Sequence, residues 1–170
     1  MFSTDQLFDL MNDYLIVIQF IRPAENHSDK LSANDISRHY WMPDTVQEIL
    51  KQSCYDCHSN NTNYPWYNRI QPVAWWLSSH VNEGKRELNF SEFTAYPLTK
   101  QAKKLKNTVR EIKEHGMPLN SYLWIHVDAS LDQGKRNILT WWADSLQTII
   151  AKGGGYTVAV SGKPPVRSAH

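Results

Sequence analysis

The sequence predicts a mostly α-helical fold of about four helices joined by long aromatic loops. Apolar residues recur at helical spacing in four separate stretches, and no stretch alternates apolar and polar residues convincingly enough to indicate a strand. The 170 residues include seven Trp and eight Tyr, which suits a small fold that encloses something large and flat.

The first two predicted helices cover residues 43–55 and 72–88. Pro43 is favourable at a first helical position, and Asp44 favours the positive helix start. Each segment has apolar residues on one face at i, i+3, i+4 spacing. These faces consist of Val46, Ile49 and Leu50 in the first helix, and Val73, Trp76, Leu77, His80 and Val81 in the second.

The third predicted helix covers 97–114, with Gly116 as its stop signal. The fourth covers 130–150, with Ser130 as N-cap and Gln133 at the capping-box position. The side of the third helix that faces away from its apolar stripe is basic, with Lys100, Lys103, Lys104, Lys106, Arg110 and Lys113.

Three regions are expected along the chain: a loosely ordered lead (1–34), a compact domain (35–150) and a disordered tail (151–170). The apolar run at 14–21 is too short to span a bilayer, which takes about 20 residues. The net charge of +1 provides no field that would favour nucleic acid as a partner.

The two cysteines lie together in Cys54-Tyr55-Asp56-Cys57-His58. C-x-x-C-H is the attachment signal of c-type haem. Two thiols one helical turn apart can reach the two vinyl groups on neighbouring pyrroles, and the adjacent His58 can donate an imidazole nitrogen to iron. A carbonyl or carboxylate would then have to fix the other nitrogen. The motif predicts one covalent haem per chain.

Two other chemistries use a C-x-x-C pair. A thioredoxin-like dithiol requires the pair at a strand-to-helix junction, whereas here a helix precedes it and an Asn-rich loop follows. A zinc site requires two further ligands, and only scattered histidines are available. Both alternatives are therefore less favoured than haem.

Haem iron in a cytochrome commonly takes Met or His as its second axial ligand. Met117 is the leading candidate, because it lies in a loop and the following Pro118 restricts it to extended geometry. His80 and His126 are the alternatives, and an open sixth position is a further one.

The loop 64–76 follows the motif directly, so its aromatic side chains are expected to wall the haem edge. Tyr64, Trp66 and Trp76 are the candidate lining residues. Arg69, together with the polar atoms of the Trp and Tyr residues, is a candidate partner of the haem propionates.

The order and gaps of many unusual residues resemble the bacterial haem-binding domain family of small c-type cytochromes. The resemblance spans roughly residues 14–148 and implies a cytochrome c-like helical domain with His58 as proximal and Met117 as distal ligand. It also implies export to the periplasm and an anchor in the inner membrane. Residues 1–34 contain a remnant of that anchor, followed by a polar linker. The residues that carry it are the motif with Ser59-Asn60, Tyr64-Pro65-Trp66-Tyr67, Ile70 to Leu77, His80-Val81, Glu83-Gly84, Leu88 to Ser91, Met117-Pro118-Leu119, Tyr122, His126 and Ala129.

The expected role is single-electron transfer in the periplasm to a redox partner that the sequence does not identify. The region near 14–21 is a candidate for membrane association. A haem-based sensor or ligand-binding protein with a weak sixth ligand is the alternative. A haem peroxidase is less favoured, because no distal acid–base pair can be placed.

Overall fold

A computed structural model describes residues 3–153, and within this range the chain forms eight α-helices and no β-strand. The prediction of a mostly α-helical fold is confirmed. Most of the predicted tail, 154–170, lies outside the described residues. The helices are α1 (Thr4–Val17), α2 (Ile36–His39), α3 (Asp44–Ser53), α4 (Tyr55–His58), α5 (Val73–Glu87), α6 (Leu98–Lys113), α7 (Asn120–Leu123) and α8 (Gln133–Ala151).

The core forms where α6 packs along α8 and α3 joins them. Each helix contributes the apolar stripe that its sequence periodicity predicts, and burial of these stripes is the main driving force for packing. The indole of Trp142 donates a hydrogen bond to the carbonyl of Trp41 (3.3 Å), which joins α8 to the segment before α3. The buried side chains include Val46, Ile49, Leu50, Leu105, Val109, Ile112, Leu139, Trp142 and Leu146.

Two predicted helix boundaries are wrong. The first helix does not run on to residue 55, because Cys54 leaves the helical region (φ −132°, ψ −42°) and the motif forms a separate turn, α4. The fourth helix is capped by Asp132, not Ser130, and its carboxylate accepts a hydrogen bond from the Lys135 amide (2.7 Å). Asp and Ser are about equally favourable at an N-cap, but Ser130 ends the preceding 3-10 turn, Val127–Ala129, so the helix begins after Asp132.

The third predicted helix agrees closely with α6, but its termination differs in detail. His115, not Gly116, takes the left-handed conformation (φ 61°). The Gly116 amide then turns back to the Glu111 carbonyl (2.9 Å), which satisfies one of the free carbonyls of the helix end.

The two parts of the lead differ in how they are attached to the domain. α1 has no buried residue, but the segment after it is fastened to the domain. The Gln71 amide donates to Gln19 Oε1 (3.0 Å), and the Asn26 amide donates to the Tyr64 hydroxyl (2.7 Å). Among residues 3–153, none of the helices combines the length and hydrophobicity that crossing a bilayer requires.

Candidate haem site

The motif forms a single helical turn whose geometry follows from its own backbone. The amides of Cys57 and His58 both donate to the carbonyl of Cys54 (3.2 and 2.9 Å). The two cysteines therefore lie one turn apart, and both line one pocket with His58. This is the arrangement that attachment to neighbouring vinyl groups requires.

The imidazole of His58 is held by the end of α5. Its Nδ1 lies 2.9 Å from the carbonyl oxygens of both Gly84 and Leu88. Both partners are acceptors, so Nδ1 carries the proton and Nε2 is left as the nitrogen available to a metal. A backbone carbonyl on the second nitrogen is the usual way in which proteins orient a metal-binding histidine.

The motif and α5 approach so closely that only glycine fits at position 84. A Cβ built on Gly84 would lie 2.6 Å from the Cys57 carbonyl oxygen and 3.0 Å from Cys57 Cβ. The absence of a side chain allows the backbone to approach, and this contact brings the Gly84 carbonyl within reach of His58.

The thiols are not activated nucleophiles. Burial, reinforced by the neighbouring Cys57, raises the pKa of Cys54 to about 12. Burial and the charge of Asp56 raise the pKa of Cys57 to about 11. Redox-active C-x-x-C pairs instead have a lowered thiol pKa, which disfavours the dithiol alternative.

A structural zinc site is also unsupported within 3–153. No three side chains of the types His, Cys, Asp or Glu cluster there in a way that could hold a metal ion. The donor set around the motif is two imidazole nitrogens, from His58 and His80, two neutral thiols and a thioether. Iron held in a porphyrin needs only axial ligands from the protein, and this set can supply them.

Three adjoining pockets make one cleft along the motif, with volumes of about 410, 330 and 250 Å³. Small-molecule sites commonly occupy about 300–1,000 Å³, so the cleft has room for a cofactor. The buried hydroxyl of Ser53 lines it and has no hydrogen-bond partner among the described residues. The size, the free imidazole nitrogen and this orphaned hydroxyl all fit a bound haem.

The loop after α6 forms the other wall of the cleft. Met117 and Pro118 line both larger pockets together with Cys54 and His58. Met117 is half-buried and Pro118 is buried. The structure thus brings the predicted distal residue to the same cavity as the predicted proximal one.

The predicted aromatic wall is divided between the cleft and other parts of the surface. Trp66 and Trp76 line the smallest pocket together with Cys57, and they are 76% and 47% exposed. The Tyr64 hydroxyl accepts a hydrogen bond from the lead (2.7 Å), and Arg69 is exposed. Neither Tyr64 nor Arg69 lines the three pockets, so nothing in this geometry supports their roles.

The alternative histidine ligands differ in position. His80 lines the cleft, and its Nδ1 is bonded to the Trp76 carbonyl (3.0 Å), so its Nε2 is available. His126 is not among the residues that line the three pockets. Its Nε2 meets the hydroxyl of Tyr67 (2.8 Å), and its ring stacks on Tyr122.

Sequence reasoning did not single out several residues that shape the cleft. Tyr67, Leu119 and Tyr122 line it, and Gly84 sets the distance between the motif and α5. All four of these residues belonged to the pattern that carries the family resemblance, and that was the signal that could have identified them.

Comparison with known families agrees with this geometry. The model of the haem-binding domain family matches residues 13–145, a span that includes the motif, α5 and the Met117 loop. No curated protein and no solved structure matches the chain. The family match covers most of the 170 residues, and the chain belongs to the haem-binding domain family.

Proposed function

We propose that this protein is a c-type cytochrome that carries one covalent haem and transfers single electrons. Cys54 and Cys57 would attach the porphyrin, His58 would be the proximal ligand and Met117 the distal one. The haem would supply the redox-active iron. The chain's own residues would orient the axial groups and keep water from most of the ring.

The observation that carries the proposal is the state of His58. Its Nδ1 proton is committed to the carbonyls of Gly84 and Leu88, so Nε2 is the only ring nitrogen left to bind iron. Burial lowers the pKa of His58 and the two carbonyls partly oppose that effect. The imidazole is therefore neutral at physiological pH, as a metal ligand must be.

The test is to produce the chain with an export signal beside a cytochrome c maturation system. Haem that survives denaturation in the parent and is lost from a Cys54→Ala, Cys57→Ala variant is the expected result for covalent attachment. If the two proteins retain equal haem, attachment through these thiols is wrong.

The distal ligand is tested in the same preparation. The ferric parent should show the near-infrared sulfur-to-iron band, and Met117→Ala should lack it. Met11→Ala is the matched control, since Met11 is 52% exposed on α1 and away from the cleft. A band that survives Met117→Ala would move the assignment to another residue, with His80 the first to examine.

Electron transfer in the periplasm is the role that such a site suits best. Met/His ligation raises the potential of haem iron, which favours passing electrons to an acceptor of high potential. The proposed location follows from the chemistry of haem c, which bacteria attach outside the cytoplasm. Localisation of a tagged chain in cell fractions, beside periplasmic and cytoplasmic markers, tests this part separately.

A haem sensor or ligand-binding protein is the second candidate. The observation in its favour is that Met117 is only half-buried, on a loop and not on a long helix. Carbon monoxide should bind the untreated ferrous protein readily if the loop leaves the sixth position open. Exclusion of carbon monoxide by the parent, with binding by Met117→Ala, would favour the electron carrier.

Membrane association is supported by the apolar surface of α1. Phe8, Met11 and Ile16 are more than half exposed, and α1 buries nothing against the domain. The charged residues of α1 are Asp5, Asp9 and Asp13, which repeat every four residues along one side. Because they are negative, anionic lipid should not strengthen the association. The parent should float with neutral phosphatidylcholine vesicles and a Phe8→Ser, Ile16→Ser variant should not; a parent that stays unbound contradicts this part.

A further inference from the structure

A hydrogen bond joins the centre of the motif to the loop that carries Met117. The hydroxyl of Tyr122 donates to Asp56 Oδ2 (2.7 Å). The second oxygen of the same carboxylate accepts from the Asn63 amide (3.1 Å). Within the described residues this is the only hydrogen bond between the motif, 54–58, and the loop, 116–126.

The ring of Tyr122 is also held in place by its neighbours. It stacks on His126 with 4.3 Å between ring centroids and 11° between ring planes. The Tyr122 amide donates to the Leu119 carbonyl (3.0 Å). This bond ties the backbone of Tyr122 to Leu119, two residues after Met117.

This loop has two further attachments: His126 Nε2 meets the Tyr67 hydroxyl at 2.8 Å, and the other attachment lies on the α6 side. The amides of Gly116 and Met117 donate to the Glu111 carbonyl at 2.9 and 3.4 Å. The second of these bonds is long, which makes it weak. The bond to Asp56 is the one that ties the loop to the motif itself, and Tyr122 lies closer to Met117 along the chain than His126 does.

We propose that the Tyr122–Asp56 pair is a latch that holds the Met117 loop over the cleft and so decides whether the sixth position at the iron is closed or open. Tyr122 and Asp56 are then positioning residues, since they act through Met117. The inference rests on the proposed axial role of Met117 and deepens it. Asp56 occupies one of the two x positions of C-x-x-C-H. The motif that attaches the haem would therefore also help to hold the loop on the distal side of the ring.

The charge on the acceptor sets the size of the effect. A hydrogen bond to a charged group is among the stronger ones in proteins, and its loss corresponds to roughly ten- to hundredfold in an opening equilibrium. Burial, together with the bond to Asp56, raises the pKa of Tyr122, so the phenol remains a donor throughout the physiological range.

The first experiment measures imidazole binding to the ferric holoprotein, because an external ligand can enter only when the loop opens. Tyr122→Phe and Asp56→Ala should bind imidazole roughly ten- to hundredfold more tightly than the parent. Asp56→Asn should lie between the parent and Asp56→Ala, because its amide oxygen can still accept the bond but the charge is lost. Tyr64→Phe, which removes a 2.7 Å bond outside the cleft, should leave affinity unchanged.

The second experiment is hydrogen exchange of the amides in 117–126, which reports on loop opening whatever binds the iron. Tyr122→Phe should speed exchange roughly ten- to hundredfold there and leave α8 unchanged. Parent-like exchange in this loop overturns the latch. If Tyr122→Phe speeds exchange but the parent shows no sulfur-to-iron band, the latch stands and Met117 is not the ligand. The two experiments together therefore distinguish failure of the latch from failure of the distal assignment. Equal gains in imidazole affinity for Tyr64→Phe would mark a general loosening and also overturn it.

Discussion

The contact between Gly84 and the motif offers the sharpest test of how the proximal side is built. In Gly84→Ala the new methyl group would lie 2.6 Å from the Cys57 carbonyl oxygen, where ordinary contact begins at 3.4 Å. The motif and α5 would have to separate by the difference, 0.8 Å. That movement would carry the 2.9 Å contact between His58 and the Gly84 carbonyl beyond hydrogen-bond range.

Overpacking of this kind typically costs about 1–3 kcal/mol. The matched control is Gly134→Ala in α8, where the added Cβ meets only the Asp132 carboxylate at 3.2 Å, and helix propensity favours Ala by about 1 kcal/mol. Urea unfolding should place Gly84→Ala about 1–3 kcal/mol below Gly134→Ala. Equal stabilities, or a gain at position 84, would refute the view that this contact requires glycine.

Three further predictions concern the titration and the charged surface. Burial raises the pKa of both thiols in the folded, haem-free protein. At pH 8, iodoacetamide should therefore label Cys54 and Cys57 on the order of a hundredfold more slowly in the folded protein than in the protein unfolded by urea. Equal rates in the two states would contradict this. Burial lowers the pKa of His58, so at acidic pH the unfolded chain binds more protons than the folded one. The haem-free protein should therefore lose stability as pH falls through and below about 6.5. Urea unfolding at pH 7.5 and 5.5 should show this loss, and His58→Gln should remove it. If the basic side of α6 docks an acidic redox partner, Lys103→Glu should slow reduction of that partner at low salt only. Lys104 is a poorer choice for this test, because its side chain is only 15% exposed. Rates insensitive to salt and to Lys103→Glu would exclude docking on this side of α6.

The parts of the site that the sequence predicts are those fixed by neighbouring residues. The spacing within Cys54–His58 determines which side chains share one turn, whatever the rest of the chain does. Periodic apolar residues likewise place α5 and α6 to within a residue or two, because a helix that buries one stripe leaves this signature locally. Both kinds of inference need only a short window of sequence.

The remaining features depend on contacts between distant parts of the chain. Asp56 and Tyr122 are separated by 66 residues, and His58 and Gly84 by 26. No local pattern indicates which acid meets which phenol. The end of α3 at Ser53 has the same origin. The local pattern predicts a continuous helix to residue 55, whereas the chain turns at Cys54 and the motif packs against α5.

The two faces of the cleft differ in how they are held, and this difference bears on which property can vary. The proximal imidazole is fixed by backbone carbonyls at the end of α5, which a substitution can displace only by moving the backbone, as Gly84→Ala would. The distal loop is tied to the motif by a bond between two side chains, and substitution of either side chain removes it. Substitution should therefore readily tune ligand exchange and sixth-ligand strength, while attachment and proximal ligation stay constant. An electron carrier and a ligand-binding protein could then differ by as little as the phenol at Tyr122.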